Sequence, residues 1–150
     1  MGPVRRSSVG SGHRDVSGYL ADTSAWHRSG RVSDWWSELL EADAIALCTP
    51  VRLELLYSAR NATDHRTLDV HLRRFRHLAI DPRVEEAAVR GQAALASEGQ
   101  HRGPKPADLL IAAVAEVHDV TLLHYDRHFD LIASATGQRT EWLARRGTLD

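Results

Sequence analysis

Four carboxylates, Asp22, Glu54, Asp108 and Asp126, stand at positions where chemistry is expected, separated along the chain by 32, 54 and 18 residues. Asp22 directly follows the short apolar run Gly18-Tyr19-Leu20-Ala21, and Asp126 lies just past Leu123, the end of a second such run. Glu54 falls one turn into the helix that Thr49-Pro50 should open, and Asp108 sits in the first turn of a strongly apolar helix. Carboxylates brought together repel one another, and a cation removes that repulsion. An all-oxygen donor set suits Mg²⁺ or Mn²⁺ rather than zinc. Such an ion lowers the pKa of a bound water and stabilises in-line displacement at phosphorus. A carboxylate cluster of this kind is therefore the minimum equipment of a metal-dependent nuclease.

Each acid also has a plain structural reading. Asp22 and Asp108 suit helix N-termini, where negative charge is favoured. Glu54 suits a solvated helix face, and Asp126 suits a turn in Tyr125-Asp126-Arg127. Pattern alone leaves the two readings evenly balanced, and the case for a site rests on the four acids occupying equivalent places. The run His124-Tyr125-Asp126-Arg127-His128 also has the residue types of a zinc site. It crosses a strand end, however, so its side chains need not converge.

The elements that must position these acids alternate between strand and helix. Apolar runs at Gly18–Ala21, Ala44–Cys48, His77–Ile80 and Val120–Leu123 predict strands, with Thr140–Leu143 as an edge strand. Between them, periodic segments at Val32–Leu40, from Thr49, at Asp64–Phe75, Val84–Ser97 and Ala107–Val117 predict helices, with a short one from Asp130. The strands are continuously apolar rather than alternating, as expected when both faces are covered. The class is α/β, with a mainly parallel central sheet of four to five strands between helical layers. In such sheets, sites form beyond the carboxyl ends of the strands, which is where the four acids stand.

At 150 residues, one domain is expected. Residues 1–17 are rich in Gly, Ser and Arg without hydrophobic periodicity and are expected to form a flexible leader, leaving 18–150 as the domain. Val16 is an alternative translation start. The single Cys48 excludes an internal disulfide and a cysteine-rich zinc site. No apolar run reaches the roughly 18 residues of a membrane span, and no secretory signal opens the chain, so a cytoplasmic location is expected. The net charge of −1 predicts no polyanion by itself. Lys105 is the one lysine among nineteen basic residues; arginine suits bidentate phosphate contact, although GC-rich codon usage gives the same bias.

Four segments together resemble the PIN-domain ribonucleases. Tyr19-Leu20-Ala21-Asp22-Thr23-Ser24-Ala25 looks like their opening motif, and Glu54-Leu55-Leu56-Tyr57-Ser58-Ala59 like the second. Pro106-Ala107-Asp108-Leu109-Leu110-Ile111-Ala112-Ala113 resembles the third, and Leu122-Leu123-His124-Tyr125-Asp126-Arg127-His128-Phe129-Asp130 the fourth. The likeness runs from about Tyr19 to Leu143 in the usual order and spacing, and is greatest to single-domain VapC toxins. It implies a PIN-like three-layer α/β/α fold, and a metal site of Asp22, Glu54, Asp108 and Asp126 holding one or two Mg²⁺ or Mn²⁺ ions. It further implies hydrolysis of a structured RNA, such as a tRNA or ribosomal RNA loop, to 5′-phosphate and 3′-hydroxyl ends. Ser24 matches a supporting hydroxyl beside the first Asp. Many relatives carry a further acid two residues past the fourth, where this chain has His128; Asp130 is the candidate compensation. Arg52, Lys105 and Arg127, with Arg102 beyond them, flank the acids and are the expected RNA contacts. A VapB-like antitoxin and a homodimer are the implied partners, with Trp35 and Trp36 near those surfaces.

Three other readings fit the residues less well. A phosphatase-like enzyme with Asp22 as nucleophile needs an acid where Ser24 stands. An inactive PIN-fold binding module fits poorly with four acids retained. A dinucleotide-binding role lacks any Gly-x-Gly-x-x-Gly.

Overall fold

The computed structural model describes residues 18–150; the leader expected at 1–17 lies outside the described residues. Five strands form one sheet: β1 (Tyr19–Ala21), β2 (Ile45–Leu47), β3 (Arg76–His77), β4 (Thr121–His124) and β5 (Thr140–Trp142). Its order is β3-β2-β1-β4-β5, and every neighbouring pair is parallel. Helices α1 (Thr23–Arg28) and α2 (Ser33–Glu41) join β1 to β2, with a 3-10 turn between them, and α3 (Thr49–Leu56) and α4 (Ala62–Leu72) join β2 to β3. Helices α5 (Pro82–Ala96) and α6 (Pro106–Val117) carry the chain to β4, and α7 (His128–Thr136) leads into β5.

The strands explain the layers. Leu20, Ala46 and Leu122 belong to a buried cluster with residues of α3, α5, α6 and α7, such as Val51, Leu95, Ile111 and Phe129. Their neighbours Ala21, Ile45 and Leu123 belong to a second cluster, with Ala25 of α1 and Trp36 and Leu39 of α2. Side chains of opposite sheet faces thus enter different cores, which is why the runs are apolar without interruption. Each fully buried leucine contributes about 1.5–3 kcal/mol. The result is the expected three-layer α/β/α architecture. Gly18, just before β1, has φ +70, and a Cβ there would lie 2.7 Å from the Ala44 carbonyl oxygen, so this entry point requires glycine.

Chain direction sets the site. From β1 the chain moves outward through β2 to β3, then crosses back to β4 and outward to β5. The switch point lies between β1 and β4, whose carboxyl ends are level because Ala21 pairs with Leu123. Element ends differ from expectation by a few residues. The helix expected over Asp64–Phe75 is found as Ala62–Leu72, and the third strand, expected over His77–Ile80, as Arg76–His77. Leu78 donates one more hydrogen bond to Leu47, and Asp81 then caps α5.

Candidate active site

Asp22 is the N-cap of α1 and is only 5% exposed. Its backbone N–H donates to the Leu123 carbonyl, which ties the end of β1 to the end of β4. Its Oδ1 accepts the Ser24 hydroxyl at 2.6 Å and the Ala25 N–H at 3.3 Å. The Ser24 hydroxyl in turn accepts the Tyr125 N–H at 2.8 Å. Ser24 therefore links the first carboxylate to the loop that carries the fourth. Burial pushes the Asp22 carboxyl up to about 7; the Ser24 and Ala25 hydrogen bonds oppose that rise, and the charge of Asp108 adds to it.

Asp108, in the first turn of α6, accepts the Lys105 backbone N–H at 3.0 Å. Its pKa is raised, chiefly by burial; the Lys105 bond and the charge of His128 oppose the rise, and the charges of Asp126 and Glu54 reinforce it. Glu54 projects from α3 on an exposed position and accepts the Thr23 hydroxyl from α1. Asp126 accepts the His128 N–H at 2.9 Å, with the His128 Nδ1 at 3.4 Å from the same oxygen. Between β2 and α3, burial pushes the Cys48 thiol up to about 11, with further contributions from the charges of Glu54 and Asp22. So buried and protonated a thiol is chemically inert.

Asp108 stands at the centre of the group: its charge adds to the rise of Asp22, and the charges of Asp126 and Glu54 add to its own. Among the described residues, no three His, Cys, Asp or Glu side chains converge into a closed cage for a cation. That arrangement still fits Mg²⁺ or Mn²⁺ chemically. Mg²⁺ keeps much of its hydration and is typically held by one or two carboxylates plus substrate phosphate. The donor set is all oxygen, and its mutual repulsion is what a divalent cation relieves. A zinc centre at His124 and His128 finds no third ligand within such a group.

The remaining candidates separate. Lys105 and Arg127 are exposed where α6 and α7 begin, beside Asp108 and Asp126, and have no ion-pair partner among the described residues. Arg102 is exposed in the loop before Lys105. Arg52 is held by Asp69 of α4, with bonds of 2.6 and 2.7 Å. Asp130 accepts the Trp142 indole N–H at 3.0 Å and so braces β5 against α7. Trp36 is buried, and the half-buried Trp35 meets Tyr19 edge-on.

His124, a zinc-ligand candidate by residue type, has a different place in the structure. It is wholly buried at the end of β4, and its Nδ1 accepts the Asp126 N–H at 3.1 Å. Burial pushes its pKa down to about 4, against the charges of Asp130 and Asp126, so the ring is neutral near pH 7. The signal was present: the apolar run before His124 implied a buried position.

A PIN-domain family description matches residues 19–135. Ribonuclease VapC18 of Mycobacterium tuberculosis is 42% identical over 135 residues, covering 87% of this chain and 98% of that protein. Ribonuclease VapC51 of the same organism is 42% identical over 134 residues, covering 88% and 97%. The fold resembles that in DNA-bound VapBC from Salmonella typhimurium, with a TM-score of 0.68 at 18% identity over 85% of this chain and 99% of that one. It also resembles promoter-bound VapBC2 from Rickettsia felis, with a TM-score of 0.67 at 22% identity, covering 83% and 97%. At those identities the structural likeness is one of fold.

Proposed function

The chain belongs to the PIN-domain family, and from that premise we propose that it is a metal-dependent endoribonuclease, the toxin of a VapBC-type pair. The observation that carries the reading is Asp22: a helix cap held in a buried setting beside a second acid, with its pKa raised to about 7. A purely structural cap gains from ionisation, whereas this one resists it, and a cation held there would relieve the penalty.

In this reading, residues 18–150 form the catalytic domain, and Asp22, Glu54, Asp108 and Asp126 hold Mg²⁺ or Mn²⁺. When bound, the cation supplies Lewis acidity and neutralising charge at a phosphodiester. The protein groups do the rest. Ser24 fixes Asp22, and Thr23 restrains Glu54 between α1 and α3. Lys105 and Arg127 receive the phosphates and stabilise the charge that builds up in displacement. These contacts position RNA without reading its bases. The substrate is a structured RNA loop, where unstacked bases are open to recognition, and its cleavage in the cytoplasm inhibits translation and growth.

A VapB-like antitoxin is the proposed partner, supported by the VapC relatives. A groove of about 510 Å³ between α2 and α4, with Trp26, Leu40, Leu68 and Phe75 on its walls, offers it an apolar seat. Leu53 on α3 and Tyr57 just past its end, 61% and 92% exposed, supply apolar surface for the proposed homodimer. No helix of the described residues is long and apolar enough to cross a membrane.

The test is cleavage of total bacterial RNA by purified protein with Mg²⁺, Mn²⁺ or chelator, beside Asp22→Asn. Discrete fragments that disappear with chelator and in the variant are expected. Absence of cleavage with either ion, in folded protein free of antitoxin, would leave an inactive binding fold. Cleavage that persists in Asp22→Asn would mean the site is misplaced.

A further inference from the structure

We propose that His124 is the positioning residue of the fourth carboxylate: its Nδ1 accepts the Asp126 backbone N–H and thereby sets the direction in which Asp126 leaves β4. The proposal rests on the functional reading above, because it assigns His124 to a site that holds a cation.

The geometry is that of an Asx-turn, in which a side-chain acceptor takes the N–H two residues on. Here an imidazole does the work of an Asn oxygen, at 3.1 Å. The other bonds of the loop leave Asp126 little freedom. Tyr125 N–H is held by Ser24, Phe129 N–H donates to the Asp126 carbonyl, and His128 N–H donates to the Asp126 side chain. The His124 ring is clamped between Phe129, at 5.3 Å between centroids, and Trp142, at 4.9 Å. Trp142 is itself fixed by its indole bond to Asp130. The two late acids of the motif thus differ in role: Asp126 faces the site, and Asp130 steadies the wall behind His124.

Packing alone does not explain a histidine at this position. With Nδ1 as acceptor, the proton resides on Nε2, and that buried N–H has no hydrogen-bond partner. An unpaired buried donor destabilises a fold, and an apolar side chain of similar size would remove the defect. What such a side chain lacks is the acceptor for Asp126.

The experiment compares the full chain with His124→Leu and His124→Asn. Asn returns an acceptor near the Nδ1 position but leaves the space between Phe129 and Trp142 underfilled. Leu fills the space and supplies no acceptor. Mn²⁺ binding is titrated by the paramagnetic resonance of the free ion, amide exchange is followed at Asp126, and RNA cleavage gives kcat and KM. His124→Leu should be at least as heat-stable as the wild type yet bind Mn²⁺ about 10–100-fold more weakly, the usual loss on removing a partner behind a ligand. Its Asp126 amide should exchange faster, and the cleavage defect should fall on kcat rather than KM. His124→Asn should melt lower yet keep Mn²⁺ affinity within about threefold of the wild type, well inside that range. A packing role predicts the reverse order. Should His124→Leu fail to fold, His124→Gln replaces it: its acceptor sits a bond farther out, and loss of Mn²⁺ affinity there with retention in Asn supports the proposal. Wild-type Mn²⁺ affinity in His124→Leu, or equal loss in Leu and Asn, overturns the positioning role alone. Absence of Mn²⁺ uptake by the wild type overturns the metal-site reading, and the positioning role with it.

Discussion

Asp22 and Asp81 hold the same local office and live under opposite electrostatics. Each follows a strand segment and is the N-cap of the next helix, α1 for Asp22 and α5 for Asp81. Asp81 accepts the backbone N–H groups of Arg83 and Val84 at 3.0 and 3.1 Å, and the Arg83 guanidinium meets its other oxygen at 2.9 Å. Its carboxyl is held below the usual range, first by that Arg83 bond. Asp22 meets no guanidinium among the described residues; burial pushes its carboxyl up to about 7, and the charge of Asp108 adds to the rise. One cap is stabilised by ionising and the other is penalised. The contrast separates a residue that serves the fold from one that the fold strains to keep.

Replacing Asp22 should break the comparison most visibly. Asp22→Asn keeps a competent cap but should lower RNA cleavage by about 100-fold or more, beyond the 10–100-fold typical of residues behind a ligand. The matching change, Asp81→Asn, should leave cleavage rates at wild-type level.

The stability of metal-free protein against pH sharpens the contrast. Asp22 has a folded pKa raised above its unfolded value, so its contribution is fully present below about pH 4 and is lost as pH rises toward about 7. The loss is on the order of 4 kcal/mol. His124 runs the other way. Its folded pKa is depressed from 6.5 to about 4, so stability falls as pH drops through that window, on the order of 3 kcal/mol. The two slopes largely cancel in the wild type. Thermal melts of Asp22→Asn should therefore become more stable with rising pH between about 4 and 6.5, and those of His124→Leu less stable. Parallel wild-type and Asp22→Asn curves would show that Asp22 ionises normally.

Adding the ion is the next test. At pH 8, Mn²⁺ at 100 times its dissociation constant should stabilise the wild type by about 2.7 kcal/mol. Calorimetry of Asp22→Asn should show a much smaller rise, and of Asp81→Asn a full one. The smallest effect belongs to Asp81→Ala, whose lost cap should lower the melting midpoint by a few degrees while cleavage is unchanged.

Much of this was legible along the chain. Continuous apolar runs followed by Asp22 and Asp126 gave strands with covered faces, and Pro50 falls in the first turn of α3, as proline prefers. The order of the four motifs gave the family. The pairings of other side chains were illegible because they join segments whose separation in the chain says nothing of their distance. Arg52 was expected at RNA, and the packing of α4 on α3 presents it with Asp69, 17 residues away. Asp130 was expected to compensate for His128 near the cation, and β5 also brings it the Trp142 indole, 12 residues on. The third strand shifted because an edge strand is defined by where its neighbour's hydrogen bonds end, not by its own apolarity.

The sequence by itself determined which residues are apolar, where helices begin and which acids lie past strand ends, since propensity, capping and periodicity act over a few neighbours. Only the tertiary structure decided which of those acids are strained. Burial and the approach of Asp108 raise Asp22, and both depend on distance and solvent exclusion through space, whereas Asp81 is relieved by Arg83 only two residues along the chain.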